Sequence, residues 1–179
     1  MRAYKVLNEG RSEFTGWQWP LPSGELPGEW VQADGPIGVC LNGIHASTTE
    51  QLPHWLGVEL WEIELDGEIV RDEAAVVASR GRLVRRVDAW DEPTRRRFAE
   101  ACLERAREIA ARYPAGEGLV EKVEHTLSWA GAAPAGYFTA MLAGESDTGR
   151  HSGPDYDEAF VRERAIQAQW LRCELQLAD

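Results

Sequence analysis

An α+β fold is expected for this chain, with an N-terminal, mostly antiparallel sheet packed against three to four C-terminal helices. Three observations point to it. Composition shifts near residue 88. Before that point, short alternating or aromatic-rich runs are broken by Gly and Pro, as strands and turns are; after it, three stretches carry helical periodicity. The length of 179 residues suits a single domain, 1–179, with a strand-rich part over 1–87 and a helical part over 88–179.

Ala3 to Leu7 reads as the first strand, and Trp17-Gln18-Trp19 as a short aromatic piece ended by Pro20 and Pro22. Residues 20–30 are too rich in Pro and Gly to be regular and read as a loop. Val39 and Leu41 suit a strand with Cys40 on its opposite face, and Gly43 permits a bulge or tight turn. Ser47-Thr48-Thr49-Glu50 has the capping-box form, so Ser47 is the expected N-cap of a short helix. The clearest hairpin signal spans 59–70. There Trp61, Ile63 and Leu65 alternate with Glu62, Glu64 and Asp66, and Asp66-Gly67 offers the φ > 0 residues of a tight turn. Residues 74–79 and 83–87 continue the sheet, with Gly81 as a bulge or turn between them.

The first long helix is expected over about 93–112, with Asp91 as N-cap, Pro93 in the first turn, an apolar stripe through Phe98, Cys102 and Ile109, and a Glu108 to Arg112 pair. A second, about 118–130, packs Val120, Val123 and Leu127 and stops at Gly131; another turn or two follow Pro134. Residues 145–155 read as an exposed loop. The last helix, about 156–177, carries Ala159, Ile166, Trp170, Cys173 and Leu177, with Glu163 interrupting the stripe as a partly buried carboxylate.

Charge narrows the partners. Net charge is -11, and both halves are acidic: residues 1–87 carry 8 basic and 13 acidic groups, residues 88–179 carry 11 and 17. A phosphate backbone is bound through clustered Lys and Arg, so nucleic acid is not an expected partner. The local exception is residues 80–86, where strand alternation puts Arg80, Arg82 and Arg86 on one face and Arg85 on the other, either a solvated face or an anion site. No apolar signal region opens the chain and no run approaches the roughly 18 apolar residues of a membrane span, so a cytoplasmic protein without membrane partners is expected. Cys40, Cys102 and Cys173 are too far apart for a disulfide framework or zinc ribbon; the last two fall on helical stripes and read as core thiols.

Chemistry concentrates in two places. Cys40, His45 and His54 offer one thiolate and two imidazoles, the donor types of a zinc site, though at no recognised spacing; the alternative is a packed thiol and a hydrogen-bonded histidine beside a glycine turn. Glu62 and Glu64 share a strand face about 7 Å apart and could address one substrate, or form the outer face of an amphipathic strand. Trp17, Trp19 and Trp30 lie in the Pro/Gly-rich region and would form an apolar patch for a ligand or partner if exposed, or core if not.

Two resemblances attach to these residues. Cys40-x-x-Gly43-Ile44-His45-Ala46, followed by a tryptophan-bearing segment and Glu59-Leu60-Trp61-Glu62-Ile63-Glu64-Leu65-Asp66-Gly67, resembles an uncharacterised family of bacterial and phage proteins with a C-x-x-G-[IF]-H-A motif. It covers about residues 1–87, and the run Glu163 to Leu171 is similar to the tail of bacterial relatives; no activity comes with that family. Arg2, Ser47-Thr48-Thr49 and Glu62-Ile63-Glu64 occur in the order of the ADP-ribosyltransferases of the Arg, Ser-Thr-Ser, Glu-x-Glu type, although only twelve residues separate Thr49 from Glu62. That resemblance implies NAD held by the arginine and the hydroxyls, with Glu64 stabilising an oxocarbenium-like transition state. Without it, no cofactor is expected.

The functional expectation is a small-ligand or partner-protein binding protein with a pocket near His45, Glu62 and the tryptophan loop, with Cys40, Trp17, Trp19 and Trp30 as contacts. The alternative is a glycosidic-bond enzyme using His45, Glu62 and Glu64.

Overall fold

A computed structural model describes residues 1–178. Five antiparallel strands lie in the N-terminal part and four α-helices in the C-terminal part, the expected α+β order. The residues form two compact units, one of residues 1–90 joined by the C-terminal Leu177 and Ala178, the other of residues 91–176. Among the described residues no helix is long and apolar enough to cross a membrane.

In the sheet unit, β1 (Arg2–Leu7) pairs with β4 (Glu59–Arg71), and β4 with β5 (Val76–Arg86); β2 (Val31–Gln32) and β3 (Ile44–Ala46) both pair with β5 at different points along it. Beyond β3, Ser47 exchanges two backbone hydrogen bonds of 2.8 Å with Tyr4. That bridge brings the end of β3 back to β1 and closes the ring β1–β4–β5–β3. Inside it lie Ala3, Leu7, Trp19, Ile44, Ala46, Trp61, Ile63, Leu65, Val76, Ala78 and Leu83, the apolar phase of each strand.

Several local expectations are overturned here. Asp66-Gly67 is not the hairpin turn: β4 runs unbroken through it to Arg71, and the register slips by one residue between Asp66 and Ile69. Gly67 (φ 78°) therefore serves a bulge, and the adjacent Glu68 N–H is held by the Ser79 hydroxyl at 3.0 Å. The real turn is residues 72–75, where the Asp72 carboxylate accepts from the N–H groups of Ala74 and Ala75 at 2.8 and 2.9 Å. Gly81 is neither bulge nor turn. It lies within β5 opposite Leu65 of β4, and a Cβ there would sit 2.9 Å from Ile44 Cγ2, so close packing fixes it. A second bulge, between Glu62 and Ile63, skips Val84 and turns Arg85, rather than Arg86, onto the face of Arg80 and Arg82.

The segment around Cys40 is not a strand. Gly38 and Asn42 pair across a tight turn, Cys40 sits at its tip with φ 60°, and Leu41 is 87 % exposed. Nor does Ser47 cap a helix. Instead the Gln51 side chain accepts from the Thr48 N–H at 2.9 Å, the return half of a capping box placed one residue later, ahead of a short 3₁₀ turn over Leu52–His54.

The helical unit comprises α1 (Glu92–Ala110), α2 (Glu117–Thr126), α3 (Ala132–Thr148) and α4 (Pro154–Leu175). Asp91 caps α1 as expected, its carboxylate accepting from Thr94 N–H at 2.8 Å, with Pro93 in the first turn. The turn or two after Pro134 is a full helix of 17 residues, and it consumes the first part of the supposed loop 145–155. Small residues make it: Ala135, Gly136, Ala140, Ala143 and Gly144 are buried, and Gly144 lies against the Tyr156 ring of α4. The phase of α4 also differs. Ile166 and Cys173 are exposed, and the buried stripe runs through Ala159, Glu163, Arg164, Gln167, Ala168, Leu171 and Leu175. Polar residues enter it with hydrogen-bond partners on α1, α3 and α4: Glu163 accepts from Arg105 at 3.1 Å, Arg164 donates to Gln167 at 3.0 Å, and Gln167 donates to the Gly136 carbonyl at 2.9 Å. Glu163 is buried as expected. Cys102 is a core thiol, its pKa pushed up to about 12 by burial. Glu108 pairs with Arg105 rather than with Arg112.

Candidate functional site

The opening motif resolves into a lock. A backbone N–H can only donate, so the Cys40 N–H, 3.0 Å from His45 Nε2, makes that nitrogen the acceptor and leaves the proton on Nδ1, which donates to the Gly43 carbonyl at 3.1 Å. Both ring nitrogens are thus spent on the turn that carries Cys40. Cys40 itself is exposed, and no helix begins at Ser47 to face it. Among the described residues no group of three His, Cys, Asp or Glu side chains converges as a metal site.

Glu62 and Glu64 share a face of β4, as alternation requires, but they meet guanidinium groups rather than a common substrate position. Glu62 binds Arg85, Glu64 binds Arg82 at 2.7 Å and Asp66 binds Arg80 at 3.6 Å. Cross-strand register generates this ladder, because Glu62, Glu64 and Asp66 on β4 lie opposite Arg85, Arg82 and Arg80 on β5. Trp30 completes it, its ring 4.2 and 4.6 Å from the Arg80 and Arg82 guanidinium carbons.

The same face gathers residues that sequence distance hides. Arg2 lies opposite Glu64 and Tyr4 opposite Glu62, while Ser47 bridges Tyr4 on its other side. The Tyr4 hydroxyl donates to the Ala178 carbonyl at 2.9 Å. Burial, then the nearby Glu62 carboxylate, raises its pKa, with hydrogen bonding by Thr49 pulling the other way. Ser47 and Thr49 are buried, so the hydroxyls of that motif face protein.

The three tryptophans part company. Trp19 is core, donating its indole N–H to Ser12 at 2.8 Å; Trp17 stands edge-on to it at 5.2 Å and is 44 % exposed; Trp30 belongs to the arginine ladder. More exposed aromatic surface comes from Phe14, which stands three residues before Trp17, is 86 % exposed and packs edge-on against Trp55 at 6.3 Å. Glu9 and Glu13 are exposed on the same loop as Phe14.

Lys5 is the residue that sequence reading passed over. It sits in the apolar phase of β1 between Ala3 and Leu7, half-buried, with Nζ 2.7 Å from the His45 carbonyl and 5.3 Å from the Trp19 ring centre. Burial pulls its pKa down to about 8. A charged residue in phase with the buried positions of a strand was the available signal. Its ammonium ties β1 to β3 beside the Tyr4–Ser47 bridge.

Comparison of the chain with protein-family models, with curated proteins and with solved structures gave no match.

Proposed function

We propose that the sheet unit is a binding module without chemistry of its own, and that it engages a basic, apolar peptide or protein segment through Phe14, Trp17 and Trp55. The observation carrying this reading is Phe14, left 86 % exposed against a second aromatic ring. Exposed aromatic surface of this kind marks contact sites, where rings contribute area at low conformational cost. Glu9 and Glu13 on the same loop favour a cationic partner, in keeping with the net charge of -11. The commitment of His45, Glu62 and Glu64 to internal partners supports a binding role over catalysis. Titration with a peptide of alternating Lys and Leu is expected to shift the indole N–H resonances of Trp17 and Trp55, while its Glu and Leu counterpart leaves them in place. The double substitution Phe14→Ser, Trp17→Ser is expected to weaken that binding about tenfold or more; equal binding of both peptides, or no effect of the substitutions, would refute the reading.

A second reading is favoured by one observation, the adjacency of Arg2, Tyr4, Ser47, Glu62 and Glu64 around two strand pairings. It would make the face an NAD site of the ADP-ribosyltransferase type, with Glu64 at the reacting centre once released from Arg82. NAD in large excess is then expected to raise the melting temperature, by about 2.7 kcal/mol of stability at a hundredfold excess over Kd. A melting curve unmoved by NAD in both the native chain and Arg82→Gln removes this alternative.

A further inference from the structure

We propose that the cleft between α1, α3 and α4 is a binding site for a phosphate group. The cleft has a volume of about 50 Å³ and lies wholly within the helical unit. A water needs roughly 10–15 Å³ by the same kind of measure, so the space admits a group of phosphate size and not a nucleotide or sugar. Ile109, Ala143 and Ala159 are buried and form an apolar floor, while Arg105, Arg112 and Arg162 line the opening.

Three guanidiniums face two carboxylates there, Glu163 and Asp147. Among the lining residues the bases outnumber the acids by one, but Glu108 and Glu158, which pair with Arg105 and Arg162 at the rim, bring the acids to four. The arginines are incompletely used. Arg105 gives Nε to Glu163 at 3.1 Å and Nη1 to Glu108 at 3.2 Å, which among the described residues leaves its Nη2 edge open. Arg162 makes longer contacts, 3.4 Å to Asp147 and 3.6 Å to Glu158. Arg112, exposed at the end of α1, makes no ion pair among the described residues. Guanidinium groups with donors to spare around a small concavity match a tetrahedral oxyanion, which accepts paired N–H groups from each. Glu163 holds the arrangement in place: its side chain is 3 % exposed and orients Arg105 from below. The acidic groups facing the site from each packed element are Glu108 on α1, Asp147 on α3, and Glu158 and Glu163 on α4, so the ligand competes with existing ion pairs. Modest, millimolar affinity is expected.

The test uses the full chain and inorganic phosphate, with ¹H–¹⁵N spectra of the arginine side chains as readout. Phosphate is expected to move the Nε–H signals of Arg105, Arg112 and Arg162, and sodium chloride at the same ionic strength is expected to leave them in place. Arg112→Gln, at an exposed position, is expected to weaken phosphate about tenfold or more with its melting temperature unchanged. Arg150→Gln, outside the cleft, is expected to bind as the native chain does. Ethyl phosphate distinguishes the source: tighter binding than inorganic phosphate assigns the site to the phosphate of a larger monoester, weaker binding to the free ion. Identical shifts with chloride, no shift up to about 20 mM phosphate, or full binding in Arg112→Gln would each overturn the proposal.

Discussion

Gly43→Ala is expected to be strongly destabilising to the sheet unit, costing about 3–5 kcal/mol. Two effects combine. Gly43 has φ 119°, a conformation that side chains rarely adopt and that costs a non-glycine residue about 1–3 kcal/mol. Its Cβ would also press inside van der Waals contact on Val77 Cγ1 and lie 3.2 Å from the Ala78 carbonyl oxygen. Overpacking of this kind adds about 1–3 kcal/mol, and a backbone atom in β5 cannot rotate away. Gly35→Ala separates the two effects, because Gly35 also has positive φ (81°) but a Cβ there meets nothing within 4 Å. Urea denaturation should place Gly35→Ala within about 1–2 kcal/mol of the native chain and Gly43→Ala well below it. Equal losses at the two positions would show that the contact with β5 contributes nothing. Since Gly43 also supplies the carbonyl that His45 Nδ1 binds, the variant is expected to free the Cys40 turn.

Lys5→Met is expected to stabilise the protein, by about 1–2 kcal/mol near neutral pH, and the gain is expected to shrink as pH rises. The folded-state pKa of Lys5 is lowered by burial from 10.5 to about 8. A lowered lysine pKa means that between those two values the unfolded chain binds the extra proton, so the stability of the native chain climbs with pH through that window. Below about pH 8 the penalty is present in full, and a displacement of this size corresponds to a ceiling of about 3 kcal/mol. Methionine avoids the charge but abandons the bond to the His45 carbonyl, which returns about 1 kcal/mol. Denaturation midpoints at about pH 7 and about pH 10 test the sign: the two proteins should differ most at the lower value. A constant difference across that range would mean that Lys5 is already well solvated.

The strands and helices were legible wherever one periodicity dominated. Trp61, Ile63 and Leu65 alternating with acids gave β4 and its buried face, and Asp91-Glu92-Pro93 gave the start of α1, because these signals are contained within a few consecutive residues. Turns were misread where a single glycine served two readings. Asp66-Gly67 has the composition of a tight turn, yet Ser79 across the sheet accommodates it as a bulge and the strand continues. The α4 stripe shifts phase for a similar reason: Arg164 and Gln167 look like a solvated face until their bond to each other and the Gly136 carbonyl are set against them. α3 was underestimated because its glycines and alanines resemble a loop, and only the closeness of α4 gives small residues a purpose.

The candidate site divides in the same way. The residue types that drew attention were readable in the sequence: His45 beside Gly43, paired glutamates on a strand, tryptophans in a Pro/Gly-rich region. By itself the sequence determined the α+β order, the buried face of β4 and the cap at Asp91, since each depends on neighbours within one or two turns of chain. Tertiary structure alone decided what those residues face. It spent both nitrogens of His45 on a turn, gave Glu62 and Glu64 to arginines on β5, sent Trp19 inward while leaving Phe14 and Trp17 outside, and drew Lys5 to the carbonyl of a residue forty positions away. Strand register and bulges make those assignments, and a shift of one residue reverses every side chain beyond it, so spacing along the chain cannot supply them.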